Sequence, residues 1–219
     1  MAKCSTDTCC LTLPLRLEKW QEDRLAKRFE IARQIYNTMV RAELKKLRAM
    51  EQSEPYKANQ EKIQALDWKT QADKQALKAL YKERDKLLQD GGFSERGFKS
   101  EIKNYYKHFN NNIGSNVAFH GIAPQVWAAF EKMLFKKEGK KVQKKGDIRS
   151  LRGYSATGRS GGVEIIFRET YIEWKGLKLP LKLSPDNIYE TQMLSYRVKY
   201  VRLLRKPGNR KDRWYAQLS

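Results

Sequence analysis

The stretch YRVKYVRLLRKPGNRKDRWYAQL, from Tyr196 to Leu218, decides the fold. Val198, Tyr200, Val201, Leu203 and Leu204 read as one strand, and Trp214, Tyr215, Ala216 and Leu218 as a second. Pro207-Gly208-Asn209 supplies the turn, because proline fixes φ and glycine and asparagine tolerate positive φ. Arg197, Lys199, Arg202, Arg205, Lys206, Arg210, Lys211 and Arg213 crowd the same segment. A sheet with so many cations is poorly suited to packing on both faces and well suited to lying on phosphates. The plain alternative is a hairpin with one solvated basic face. The rest of the chain weighs on that choice.

At 219 residues the chain suits one or two domains with a real core. It carries 45 Lys+Arg against 25 Asp+Glu, a net charge of +20, which favours a polyanionic partner. Nucleic acid leads. An anionic membrane surface comes second, but no amphipathic segment is free of core duties and no apolar run approaches bilayer length. Met1-Ala2-Lys3 is not followed by an apolar signal-peptide core, so a cytoplasmic location is expected. The charge is uneven. Residues 1–135 hold 24 basic and 17 acidic side chains, net +7, whereas residues 136–219 hold 21 and 8, net +13. Cys4, Cys9 and Cys10 are three thiols near one end, a pattern that argues against a disulfide framework and falls short of a zinc-ligand set.

Leu11, Leu13, Leu15 and Leu17 alternate, which predicts a strand with one buried face. Pro14 on its outward phase predicts an edge strand. The period then becomes helical. Leu25, Phe29, Ala32, Tyr36, Met39, Leu44 and Leu47 stripe a helix from about Glu18 to Met50. Ser53-Glu54-Pro55 restarts a second helical stretch to about Asp90, weakest between Asp67 and Asp73. The two stretches predict an antiparallel helical hairpin. Shorter helices follow around Phe93–Phe109 and, after a cap at Ser115 or Asn116, through Gly121 and Pro124 to Phe135, with Val126, Trp127, Phe130 and Leu134 as core.

Residues 136–162, with nine Lys/Arg and six glycines, predict a basic mobile loop without a phosphate-cradle motif. Strands resume at Val163–Arg168, Tyr171–Trp174 and Leu177–Leu183, and Ser184-Pro185-Asp186 opens a short helix before the final hairpin. One strand, about 120 largely helical residues and five strands predict an α+β fold: a small OB-like barrel or a curled sheet whose first strand is parted from the rest by an inserted helical bundle. The expected boundaries are 1–18 for the first strand, 19–138 for the helices and 139–219 for the remaining barrel.

No convergent catalytic set emerges. Glu164 and Glu173 alternate outward and predict solvated partners for nearby cations, His108 reads as a surface or packing residue rather than a base, and His120 before Gly121 is a candidate phosphate contact. Tyr154, Tyr171, Trp174, Tyr200, Trp214 and Tyr215 interleave with Lys and Arg, supplying stacking planes beside phosphate contacts, with about half expected in the core.

Ile35-Tyr36-Asn37, Ile113-Gly114-Ser115-Asn116-Val117-Ala118, Phe130-Glu131-Lys132-Met133-Leu134-Phe135, Gly176-Leu177-Lys178-Leu179-Pro180 and Arg202-Leu203-Leu204-Arg205-Lys206-Pro207-Gly208-Asn209-Arg210 resemble the N-terminal half of TnpB-like proteins and compact type V CRISPR effectors. The last two stretches are the most specific. The resemblance implies a wedge (WED) barrel interrupted by a helical recognition (REC) domain, in an RNA-guided DNA-targeting protein. It implies guide RNA, target double-stranded DNA and a RuvC nuclease half as partners. Arg149, Arg152, Lys199, Arg202, Arg205, Lys206, Arg210 and Lys211 are the expected RNA contacts. Tyr36, Asn37, Ser115 and Asn116 fall where the family reads the DNA motif beside the target. The family's catalytic Asp follows the equivalent of Tyr215-Ala216-Gln217-Leu218, and the sequence ends at Ser219. The nuclease half is therefore expected to be absent, on a second chain or copy, or omitted. Mg2+ belongs to that half, and no cofactor is expected in these residues. A general RNA- or DNA-binding barrel without a guide, or a scaffold whose helical hairpin docks a protein, are the rival expectations.

Overall fold

The computed structural model describes residues 9–66, 70–135, 141–155, 164–184, 186–209 and 211–219. In order, its elements are β1 (Leu11–Pro14), α1 (Lys19–Glu51), α2 (Glu54–Gln64), α3 (Gln71–Asp90), α4 (Glu95–Glu101), α5 (Lys103–Tyr106), α6 (Ser115–Val117), a π turn (Ala118–Ile122), α7 (Ala123–Leu134), β2 (Ser150–Tyr154), β3 (Ile165–Arg168), β4 (Tyr171–Trp174), β5 (Leu177–Pro180), α8 (Ile188–Leu194), β6 (Tyr200–Lys206) and β7 (Arg213–Leu218). Two compact units result. One comprises Met1–Ile35, Tyr106–Ile122 and Lys145–Ser219, the other Tyr36–Tyr105 and Ala123–Lys144.

The first unit holds two antiparallel sheets, β1-β7-β6-β2 and β3-β4-β5. The fold is α+β, and the closed barrel expected from the strand count is not formed among the described residues. The sheets meet at an isolated bridge, Leu15 to Leu181, and at the other edge through hydrogen bonds from the Glu164 N–H to the Tyr154 carbonyl at 3.4 Å and from the Phe167 N–H to the Ser155 hydroxyl at 2.8 Å. Two prolines account for the brevity of the bridge. Arg16 N–H donates to the Pro180 carbonyl and Lys182 N–H to the Pro14 carbonyl, both at 2.8 Å. The return bonds would need N–H groups on Pro180 and Pro14, and proline has none. Pro14 is tolerated because β1 is the edge strand of its sheet, paired there with β7.

Side-chain alternation sets the core of this unit. Leu151, Leu203, Ala216 and Leu13 stand in one cross-strand row and are buried. Ile165 pairs with Trp174 and Phe167 with Ile172 on the second sheet, and Ile165, Trp174 and Ile172 are fully buried. The first half of α1 closes over these side chains with Leu25, Phe29 and Ala32, and the Phe29 ring meets Trp214 edge-on at 5.1 Å. The Gln21 amide donates to the Lys178 carbonyl at 2.7 Å, so α1 also satisfies the open edge of β5. Lys175 and Gly176 both hold positive φ, 46° and 74°, in the tight turn between β4 and β5. The Arg28 guanidinium caps that turn by donating to the Trp174 and Lys175 carbonyls. Burial pulls the Arg28 pKa down to about 10, helped by Arg24, which leaves the side chain charged at neutral pH.

β2 falls inside the run expected to be loop, so the described residues hold six strands after the helices rather than five. Its residues, Ser-Leu-Arg-Gly-Tyr, offer only Leu151 as an aliphatic inward residue, too little for a periodic signal. Gly153 takes the other inward place because a Cβ there would lie 2.9 Å from the Ile165 side chain. The first strand of the hairpin starts at Tyr200, so Val198 precedes it. Asn187, not Ser184, caps α8, accepting from the Glu190 N–H at 3.2 Å, and Pro185 lies outside the described residues.

In the second unit Tyr36, Met39, Val40 and Leu47 of α1 are buried, as are Phe93, Phe98, Ile102, Val126 and Phe130. Phe98 packs on Phe130 at 5.1 Å and on Trp127 at 5.4 Å, which makes the aromatic stripe of α7 core. The helical hairpin is α2 with α3, not α1 with a single long partner. Asn59 on α2 donates to the Leu80 carbonyl on α3 at 3.1 Å, and Gly91 brings the end of α3 back against Met50. Ser53 caps nothing with its side chain. Its hydroxyl donates back to the Met50 carbonyl at 2.6 Å.

Candidate nucleic-acid interface

Period two places a defined set of side chains on the outward face of the four-stranded sheet. Tyr154 stands opposite Tyr200. Arg152, Arg202, Gln217 and Thr12 form the next row across β2, β6, β7 and β1. Ser150, Leu204, Tyr215 and Pro14 form the third, and Lys206 pairs with Arg213 at the hairpin end. None of these strand residues is acidic. Arg202, Lys206 and Arg213 are exposed, while Arg152, Tyr154, Tyr200 and Tyr215 are half-buried.

The aromatic rings and cations interleave. Arg152 lies over the Tyr200 ring at 3.8 Å, and Lys199 approaches the same ring at 5.5 Å. Lys206 lies over Tyr215 at 4.7 Å. Tyr154 sits 4.7 Å from Tyr200 and carries the His120 ring edge-on at 4.5 Å. Partial burial pushes the Tyr200 phenol up, but the hydrogen bond with Tyr154 and the charges of Lys199 and Arg152 outweigh it and bring the phenol below its usual value. A phenol shifted that way is a favourable hydrogen-bonding group in a cationic field. At the hairpin end the face runs into an open cleft of about 970 Å³, lined by Pro14, Arg16, Lys206, Lys211, Arg213 and Tyr215 among others.

The expected RNA contacts divide. Arg152, Lys199, Arg202 and Lys206 belong to this face or its border. Arg205 has the opposite phase. Its guanidinium donates to Asp212 at 2.6 Å and Asp147 at 3.1 Å, beside buried Trp214. Lys211 pairs with Glu22 at 2.7 Å, and Arg149, largely exposed, stands 3.9 Å from Asp147. Arg210 lies outside the described residues.

The four residues expected to read DNA do not form one cluster in a single unit. Tyr36 and Asn37 belong to the helical unit, where Tyr36 is only 2% exposed and burial pushes its phenol up. Ser115 and Asn116 belong to the sheet unit. Neither is the cap of α6. Gly114, at φ 80°, holds that position. Asn116 is buried, and its side-chain oxygen accepts the Tyr154 N–H at 2.8 Å, which satisfies the outer edge of β2. The Ser115 hydroxyl meets the Glu164 carboxylate at 3.3 Å. Gly121 completes this edge, since a Cβ there would come within 2.7 Å of the Arg152 carbonyl oxygen.

Glu164 is a correction. It is buried rather than solvated, and accepts the Val117 N–H at 3.2 Å with Lys175 at 3.6 Å. Its alternation with Glu173 does not reveal this, because the α6 turn that receives it lies far away in sequence. Glu173 does pair with an exposed cation, Arg168, at 3.2 Å. Trp174 and Trp214 are core, whereas Tyr154, Tyr171, Tyr200 and Tyr215 keep partial exposure. Among the described residues no group of three or more His, Cys, Asp or Glu is placed to hold a metal, and no helix is long and apolar enough to cross a membrane. No family model matches the chain, and no curated protein matches it.

Proposed function

We propose that this chain is a guide-RNA-binding and target-DNA-recognition lobe of a TnpB-like, RNA-guided system acting in the cytoplasm, with the RuvC nuclease supplied by residues outside this sequence. The observation that carries the reading is the outward face of β1-β7-β6-β2, where tyrosines and cations share a surface without a strand carboxylate. Such a face attracts phosphates and offers rings to bases. The wedge-barrel description is supported by the Leu15–Leu181 bridge and the Glu164–Tyr154 hydrogen bond, which tie the two sheets at opposite edges. The position of the helices between β1 and β2 is the order that the resemblance implies.

Target DNA is the second ligand in this reading, and Mg2+ would enter only with the nuclease half. Expression of the chain in a prokaryotic host carrying its native flanking DNA, followed by sequencing of the RNA that co-purifies, tests the proposal. Enrichment of one structured RNA, bound with affinity that falls steeply with salt, is expected. Equal affinity for that RNA and an unrelated structured RNA would leave a general nucleic-acid binder instead.

A further inference from the structure

We infer that the outward face of the four-stranded sheet takes an unpaired RNA segment, with bases stacked at Tyr200 and Tyr215, rather than the backbone of a duplex. The inference rests on the RNA-binding reading above and names the form of RNA that this face recognises.

A duplex presents phosphates outward and keeps its bases stacked on one another, so rings on a protein surface gain little from it. Cations alone would serve that partner. Here the rings are built into the face. Tyr200 and Tyr215 occupy the same outward phase on β6 and β7, and Leu204 is the residue directly opposite Tyr215. The two rings are thus four strand positions apart, about 13 Å along the sheet. The row between them holds Arg202 on β6 and Gln217 on β7, and Arg152 stands across from Arg202 on β2, on the side away from Tyr215. Two stacking planes, with the Arg202 guanidinium in the row between them and Arg152 over Tyr200 on the neighbouring strand, match a strand whose bases turn inward while its phosphates pass over the arginines.

The surroundings of each ring fit that use. Arg152 already stacks on Tyr200 at 3.8 Å, and a guanidinium plane is itself a surface on which a base can stack. Over Tyr215 stands the flexible Lys206 side chain, at 4.7 Å, which a base can displace while the ammonium turns to a phosphate. The cleft of about 970 Å³ beside Tyr215 is of a size that suits a small ligand; Glu22 and Asp212 also line it but are paired with Lys211 and Arg205, and its Arg16, Lys206 and Arg213 set it up for an anion. A nucleotide enters such a cleft. A paired helix lies across its mouth.

Fluorescence anisotropy with two probes tests this. One is a labelled single-stranded RNA of about eight nucleotides without self-complementarity. The other is a blunt RNA hairpin with the same number of phosphates. At about 0.3 M salt, where exposed charges are largely screened, the single strand is expected to bind at least tenfold more tightly. Tyr200→Ala and Tyr215→Ala are each expected to weaken single-strand binding about 5- to 100-fold and to leave the hairpin affinity unchanged. Tyr200→Phe and Tyr215→Phe keep the rings and are expected to bind the single strand within about threefold of the parent, a direct check that folding is intact. Equal affinity for the two probes, or parallel loss of both in the alanine variants, overturns the inference while leaving RNA binding in place. Failure to bind either probe overturns both.

Discussion

Arg152 and Arg202 stand directly opposite each other on β2 and β6, and the rest of their row is Gln217 and Thr12. Like charges in that relation destabilise a sheet unless something else neutralises them. A phosphate backbone would do so. Arg202→Thr keeps a good strand residue and removes one charge. It is expected to raise stability in urea by about 0.2–1 kcal/mol. It should also lower the slope of log affinity against log salt by about 0.7 for a single-stranded RNA. A variant that is less stable, with an unchanged salt slope, would show that Arg202 has a structural partner instead.

Arg205 gives the opposite expectation, although it lies three residues away. Its two carboxylate partners, Asp212 and Asp147, tie the hairpin end to the segment before β2. Arg205→Ala leaves Asp212 without this partner and Asp147 with only the longer contact to Arg149, and should cost about 1–3 kcal/mol of stability. The salt slope for RNA should remain that of the parent. Comparing the two variants in the same titration separates cations that hold the fold from cations that hold a ligand, and a slope that falls with Arg205→Ala counts against this assignment.

Period two made most of this legible. The alternation in Tyr200–Lys206 and Arg213–Leu218 announces the hairpin, and Pro14 announces the edge strand. The face that carries Tyr200, Arg202 and Lys206 follows from the same count. What stayed hidden depends on pairing between distant segments. β2 has a single inward aliphatic residue because Gly153 gives way to Ile165, so no periodic signal exists in its own residues. Asn116 looks like a cap locally, yet its partner is the Tyr154 N–H, 38 positions away. The open edges between the sheets depend on where Pro14 and Pro180 fall in a register that the sequence does not display.

Gly114 is expected to resist substitution more than any other residue of the α6 turn. It holds φ at 80°, and a Cβ would collide with the Glu164 carboxylate that the turn receives. Strain of this kind costs about 1–3 kcal/mol before the collision is counted. Gly114→Ala should therefore lower the urea midpoint without changing the slope of unfolding. A parent-like midpoint would mean that Glu164 can leave its place at no cost, and that the bonds from Val117 and Ser115 contribute little.

Glu43 provides the last test, through pH. It lies in α1 within the helical unit, 2% exposed, and its Oε2 has no hydrogen-bond partner among the described residues. Burial raises its pKa, Lys46 opposes that shift, and Glu101 adds to it; the Tyr105 phenol stands in the same field and is itself pushed up. A carboxyl raised on folding is better tolerated protonated. Its favourable contribution is complete below the unfolded value of about 4.3 and is lost as pH rises through the higher folded value. Glu43→Gln keeps the shape and removes the ionisation. The stability of the parent relative to Glu43→Gln should therefore be greatest near the acidic end and decline toward neutral pH, by about 1.4 kcal/mol for each unit by which the folded pKa is raised. Urea unfolding of both proteins across that range gives the difference directly. A difference that is flat with pH would mean that Glu43 ionises in the folded protein as readily as in the unfolded chain, and that the carboxylate has a counter-charge able to offset its burial.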